Sequence, residues 1–322
     1  MEESIYWNLA GLRMTAYAWS IWIGCALALG LFLWEGRRLK PAARLWTVAL
    51  GILFGLLGAR LYYVLARLDL FLEIGLNSFF ATAEEDLQSW GAAKGAAFWG
   101  AVGGVSLAAL AAGRIAKERV SAILDALAPS AALAIALSRF GEYGIGEGIG
   151  PEVWEEGLQF FPLAVANEWG EWHYALFLLE GIVGLVIFAL LMTRGRRLKA
   201  GYRARMFLVL YSSSQIVLEA LRRDNFLRWL FVRVSQVASA VVLLGLMSFG
   251  VLRWLKKPEG QRMSRKRLYW NCGLFLLMVP VIIILEFAID KSPTLSVSLA
   301  YLLEACCCVV MGATTWQVAM KN

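Results

Sequence analysis

Charge is scarce in this sequence. Of its 322 residues 17% are charged and 60% are hydrophobic, against roughly 25% and 45–50% in an average soluble domain. That balance excludes a water-soluble globule and points to an integral membrane protein built of helices. The short alternating segments of a membrane β-barrel are missing too, because the apolar runs are continuous. Cysteine is sparse, and Cys25, Cys272, Cys306, Cys307 and Cys308 all lie in apolar runs, without C-x-x-C spacing or a partner histidine. They read as small apolar packing residues, and no metal or other cofactor is expected. Histidine occurs once, as His173. Glu2 and Glu3 precede the first apolar run, with no basic n-region and no A-x-A site, so that run reads as a retained span and not a signal peptide. No inverted repeat argues for a secondary transporter. The net charge of +7 sits in short loops between apolar runs, where it reports orientation and not nucleic-acid binding.

Nine apolar segments approach the roughly 20 residues needed to cross about 30 Å of hydrocarbon: 15–34, 45–65, 95–113, 123–137, 173–192, 206–221, 232–252, 268–288 and 297–316. Two of them, 123–137 and 206–221, are short. The fold class expected is therefore all-α, a polytopic transmembrane helical bundle. The loops at 35–44, 114–119, 194–205 and 253–267 are basic, and those at 67–90 and 142–171 are acidic. The positive-inside rule then puts the N-terminus outside and the basic loops and C-terminus in the cytoplasm. One loop breaks the alternation. RRDNFLRWLFVR (222–233) should face outside, yet it carries Arg222, Arg223, Arg228 and Arg233 against Asp224. An anionic lipid headgroup would account for them, as would pairing with the acidic outer loops. Trp154, Phe160, Phe161, Trp169 and Trp172 in the 142–171 loop suit an aromatic belt at headgroup level and a small outer cap.

The chemistry-bearing stretch is SRFGEYGIGEGIG (138–150), with Arg139, Glu142, Glu147 and five glycines at the end of an apolar run. Charges at the mouth of a span are costly unless they bind or react, and glycines let a backbone approach a ligand. The plainer alternative is a connecting loop with a snorkelling arginine. Arg60 lies near the outer end of the second span, and Glu180 lies in the fifth, where it can neutralise an arginine. Tyr211, Gln215, Glu219 and Arg222 recur at i, i+4, i+8 and i+11, one helical face. Such a stripe, with Arg60 and Arg139 at the same depth, reads as a polar cavity. His173, at the start of the fifth span, is a candidate general base or simply part of the aromatic interface.

Taken in order, these residues resemble the prolipoprotein diacylglyceryl transferase family of bacterial inner membranes. Its signature G-R-x-G-N-F-x-N-x-E-x-x-G is met by Arg139, Gly141, Glu147 and Gly150, with Ser138, Glu142 and Ile145 as departures. GARLYYVL (58–65), Asp125, Ala128 and Pro129 in 124–139, TAYAWSI (15–21) with Tyr17, and YSSSQIVLEALRRD (211–224) resemble further family segments. Trp99 stands where the family has histidine, and Gln215 where it has arginine. The resemblance implies seven family-like spans in residues 1–255, with 256–322 as an extension of two more. It implies transfer of the diacylglyceryl group of phosphatidylglycerol to a lipobox cysteine thiol at the outer leaflet. Under it, Arg139 with Arg222 or Arg223 would clamp the phosphate, and Glu142, Glu147 or His173 would serve as base. Tyr17, Arg60, Gly150, Tyr211, Gln215, Glu219, Arg222 and Arg223 would bind substrate. The expected partners are phosphatidylglycerol or another anionic phospholipid, and lipobox-containing preproteins. The other reading is a catalytically degenerate scaffold that binds lipid or a partner.

Overall fold

A computed structural model of the chain describes residues 6–9, 12–68, 71–72, 97–167, 169–194, 199–223, 227–229, 232–291 and 297–321. Most of the acidic 67–90 loop lies outside them. Among the described residues nine long helices account for nearly all the structure: α1 (Ala16–Glu35), α2 (Pro41–Ala66), α3 (Phe98–Ile115), α4 (Val120–Gly141), α5 (Leu176–Thr193), α6 (Tyr202–Leu221), α7 (Val234–Lys256), α8 (Arg265–Lys291) and α9 (Val297–Lys321). Eight are long and apolar enough to cross a membrane. The exception is α6, whose 20 residues include Arg203, Arg205, three serines, Gln215 and Glu219. The bundle is all-α and polytopic, as the continuous apolar runs require, and the protein is a multi-pass membrane protein.

Two compact units divide the chain, 1–203 and 204–322. In the first, the hairpin β1 (Tyr6–Leu9) and β2 (Leu12–Thr15) leads into α1. Thr15 caps that helix, its hydroxyl accepting from the Ala18 N–H at 3.1 Å, so one orphan donor of the first turn is satisfied. Pro41 opens α2, where its missing N–H costs nothing. Helices α2 and α3 meet through Gly58, Gly100 and Gly104, which serve close helix packing. Small residues also bring α4 against its neighbours, with Gly24 of α1 on Ala134 and Gly184 of α5 on Ala136. Pro129 is buried inside α4. At the basic-loop end of this unit, Asp125 accepts from the Gly201 N–H at 2.6 Å, and Arg203 pairs with Glu35 at 2.5 Å. Lys40 donates to the carbonyls of Ala116 and Lys117, and Glu118 accepts the N–H groups of Arg119 and Lys40, which hold its carboxyl below the usual range.

Between α4 and α5 the chain forms a small ordered cap. A 3-10 turn, Glu142–Ile145, is followed by β3 (Ala164–Ala166) and β4 (Trp172–Tyr174), antiparallel with Val165 opposite His173. Trp154 and Trp169 are 77% and 73% exposed and Phe160 and Phe161 also face outward, the placement an interfacial belt needs.

The second unit packs α7, α8 and α9 around an apolar cluster that includes Leu243, Met247, Phe275, Ile282, Leu285, Cys308 and Met311. Arg222 and Arg233, from the loop that broke the charge alternation, are 4% and 3% exposed. They lie in the protein interior and do not snorkel.

Candidate functional site

In the first unit the polar centre forms where α4 ends. The apolar run 123–137 was expected to stop short, but α4 continues to Gly141, so Arg139 sits on the helix and not in a loop. Its buried faces run along α1 and α5, which aims the Arg139 side chain between the signature turn and α5. There Nε donates to Glu180 Oε2 at 2.7 Å and Nη1 donates to Glu142 Oε1. Glu142 and Glu180 are 4% and 3% exposed. The guanidinium fork that meets two carboxylates at once helps offset the cost of withdrawing three charged groups from water. Arg139, expected as part of a phosphate clamp, contacts Glu142 and Glu180 here.

The turn after Arg139 explains the glycines. Gly146 and Gly148 have φ of 67° and 71°, the left-handed region, which Gly150 does not enter. A Cβ on Gly148 would lie 2.7 Å from Glu142 Oε2 and 2.8 Å from Phe177 Cβ. Gly148 thus lets the turn close over the Glu142 carboxylate. Gly150 donates its N–H to the Tyr174 carbonyl at 2.9 Å and joins the turn to β4. Gly141 lies against Tyr17 and Ser20 of α1, so the tyrosine of the first helix is buried beside the signature.

His173 does not begin a helix. It is the central residue of β4, its Nδ1 is 3.3 Å from the Gly150 carbonyl, and its Nε2 is 3.9 Å from Glu171. The strand forms because three residues with bulky side chains, Trp172, His173 and Tyr174, precede the run that can turn helical at Leu176. Glu147 is half-buried and its N–H donates to the Glu142 carbonyl at 3.2 Å. Arg60 lies over the rings of Tyr63 and Phe71, each at 5.5 Å, which gives the cation a place inside an apolar helix. Trp99, at the position where the resemblance has histidine, is 7% exposed on α3.

The second unit carries its own polar face. Tyr211, Gln215 and Glu219 are buried along α6, and Gln215 Nε2 donates to Glu219 Oε1 at 3.0 Å. Arg222 follows the last helical residue and is buried. Its carbonyl accepts from Arg233 Nη2 at 2.6 Å, and Arg233 Nη1 lies 4.0 Å from Glu219 Oε2. Arg223 turns outward and donates to the Tyr301 hydroxyl at 2.9 Å. The face predicted from the i, i+4 spacing is therefore present, and Arg222 and Arg223 part company. Two residues were missed as members of this network, Arg233 and Gln236. The available signal was their spacing, since a glutamine three residues after a helix-initiating position reaches back to cap it.

A buried guanidinium shared by two carboxylates beside a glycine-built turn, and a buried glutamine–glutamate–arginine face, are groups suited to binding a polar headgroup and moving a proton at a membrane. Comparison with known proteins bears on the family. Residues 4–252 match the family model described as prolipoprotein diacylglyceryl transferase. A Frankia alni protein named phosphatidylglycerol–prolipoprotein diacylglyceryl transferase is 30% identical over 247 residues, 74% of this chain and 63% of that protein's length. A Streptococcus pneumoniae protein of the same name is 30% identical over 254 residues, 76% of this chain and 92% of its own length. The matched span contains Arg139, Glu142, Glu180 and the whole of α6, and leaves α8 and α9 beyond it. On that match, and with the signature turn built around Arg139, the chain belongs to the prolipoprotein diacylglyceryl transferase family.

Proposed function

We propose that the protein transfers the diacylglyceryl group of phosphatidylglycerol to the thiol of a lipobox cysteine in a preprotein. The carrying observation is Glu142, buried and fixed by Arg139 at the glycine turn. In the reaction a carbon–sulfur bond forms at the diacylglyceryl carbon, the bond from that carbon to the phosphate oxygen breaks, and glycerol phosphate leaves. The thiol proton goes to Glu142, because the thiolate is the nucleophile. Arg139 orients Glu142. Arg222, the buried one of the pair, stabilises the leaving phosphate, for which a planar guanidinium is suited. Tyr17, Arg60, Gly150, Tyr211, Gln215 and Glu219 contact the lipid, with Glu147 and His173 supporting the turn.

The test uses the full chain in bilayers containing phosphatidylglycerol, with a lipobox peptide, and mass spectrometry for the thioether-linked product. Glu142→Gln keeps an acceptor for Arg139 but no basic group, and is expected to slow transfer by about a hundredfold or more. His173→Gln is expected to keep most of the activity. A Glu142→Gln protein working at the unmodified rate would sink the base assignment. Bound lipid with no product from the unmodified protein would favour the scaffold reading, which Trp99 at the histidine position supports.

With α6 counted as a ninth crossing, the same reading puts the protein in the bacterial inner membrane, N-terminus outside and C-terminus in the cytoplasm. Gly157, in the cap, and Gly260, between α7 and α8, both have open space around them. In a cysteine-free background, Gly157→Cys is expected to react with an impermeant maleimide on intact spheroplasts, and Gly260→Cys only after lysis. The reverse pattern would invert the topology.

A further inference from the structure

The two C-terminal helices lie outside residues 4–252, yet they reach the polar face of α6. Glu286 of α8 accepts from Gln236 Nε2 at 2.5 Å. The same Nε2 donates to the Ile216 carbonyl of α6 at 3.1 Å, and Gln236 Oε1 accepts from the Arg233 N–H at 3.0 Å. A glutamine amide has two N–H donors and one carbonyl, so both donors and the acceptor of Gln236 are engaged. With its amide nitrogen on Glu286 and the Ile216 carbonyl, Gln236 presents Oε1 to the Arg233 backbone N–H. Arg233 in turn binds the Arg222 carbonyl and approaches Glu219, whose other oxygen is held by Gln215. A continuous polar path thus runs from α8 through the start of α7 to the face that the family segment contributes.

Helix packing alone gives no reason for this path. The apolar cluster of Leu243, Met247, Phe275, Ile282 and Leu285 already holds α7 and α8 together. A glutamate within a span is costly, and Glu304 of α9, wholly buried, lies against Glu286 as well. Tyr301 of α9 separately fixes Arg223.

We infer that Glu286 is a positioning residue for lipid binding, acting through Gln236 and Arg233 to hold Glu219 and Arg222 in place. The extension is then part of the working enzyme and not an appendage. The inference rests on the transferase reading for its kinetic arm only, since lipid binding is measured separately.

Full-length Glu286→Leu and Glu286→Gln proteins would be compared with the unmodified protein for transfer kinetics, for phosphatidylglycerol binding by native mass spectrometry, and for thermal unfolding. Loss of the acceptor in Glu286→Leu is expected to raise KM for phosphatidylglycerol and weaken its binding by about tenfold, the scale of one hydrogen bond to a charged group, with little change in kcat. The thermal midpoint is expected to change by only a few degrees, because the lost Gln236 acceptor is offset by removal of a costly intramembrane glutamate. Glu286→Gln retains a carbonyl acceptor and is expected to restore most of the binding. Unchanged KM and binding in Glu286→Leu, or a fall in thermal midpoint with binding intact, would overturn the inference. An unmodified protein that binds lipid but makes no product would refute the transferase reading alone, and the binding series would still decide the role of Glu286.

Discussion

Arg139→Ala is expected to lower diacylglyceryl transfer by about two to three orders of magnitude and to weaken the fold by about 3–5 kcal/mol. Both effects follow from one guanidinium serving two buried carboxylates. Its removal takes from Glu142 and Glu180, 4% and 3% exposed, a cation that offsets their desolvation. It also frees the side chain that the proposed reaction needs fixed. The two consequences separate in a second protein. Arg139→Ala combined with Glu142→Gln and Glu180→Gln carries no uncompensated charge, so most of the stability is expected to return while transfer does not. Arg139→Lys has a point charge in place of a fork and is expected to keep stability better than activity, because an ammonium cannot reproduce the fork's geometry toward two carboxylates. Thermal unfolding in detergent and product yield by mass spectrometry measure the two quantities. Transfer by Arg139→Ala at more than a tenth of the unmodified rate would remove Arg139 from the proposed site.

The second large effect is expected far from any charge. Gly104→Ala should cost several kcal/mol, enough to abolish accumulation of folded protein. A Cβ at position 104 would stand 1.9 Å from the Phe54 carbonyl oxygen and 2.5 Å from its carbon, both backbone atoms that cannot swing aside. The helices α2 and α3 would have to separate, and Gly58 with Gly100 would lose its backbone approach with them. Within a membrane that approach matters more than in water, because lipid tails compete equally for apolar side chains and close packing is what remains. Gly103→Ala, one residue earlier with nothing within 4 Å of its Cβ, is the control and is expected to be neutral or slightly stabilising. Equal expression and melting of the two proteins would show that α2 and α3 do not pack as described.

How much of this was legible in advance differs by element. The apolar runs announced the helices because a span must bury about 20 consecutive residues in hydrocarbon, a constraint written directly in composition. The α6 stripe of Tyr211, Gln215 and Glu219 was legible because helical periodicity is local, and α6 delivers those three to buried positions. The length of α4 was not, since Ser138 and Arg139 read as the end of a run when Arg139 is satisfied by Glu180 of another helix. His173 was misplaced for the same reason. Its neighbours look like the start of an apolar span, and only pairing with Val165 makes them a strand.

The sequence by itself determined that this is a helical membrane protein, placed Arg139, Glu142 and the α6 face among its candidate residues, and pointed to its family through short motifs whose spacing is fixed along the chain. Which carboxylates hold Arg139, which glycine closes over Glu142, and how Glu286 reaches Glu219 through Gln236 and Arg233 were decided only by tertiary structure. Each of those depends on side chains brought together from separate helices, and within a low-dielectric interior a buried charge takes whichever partner the packing brings within reach.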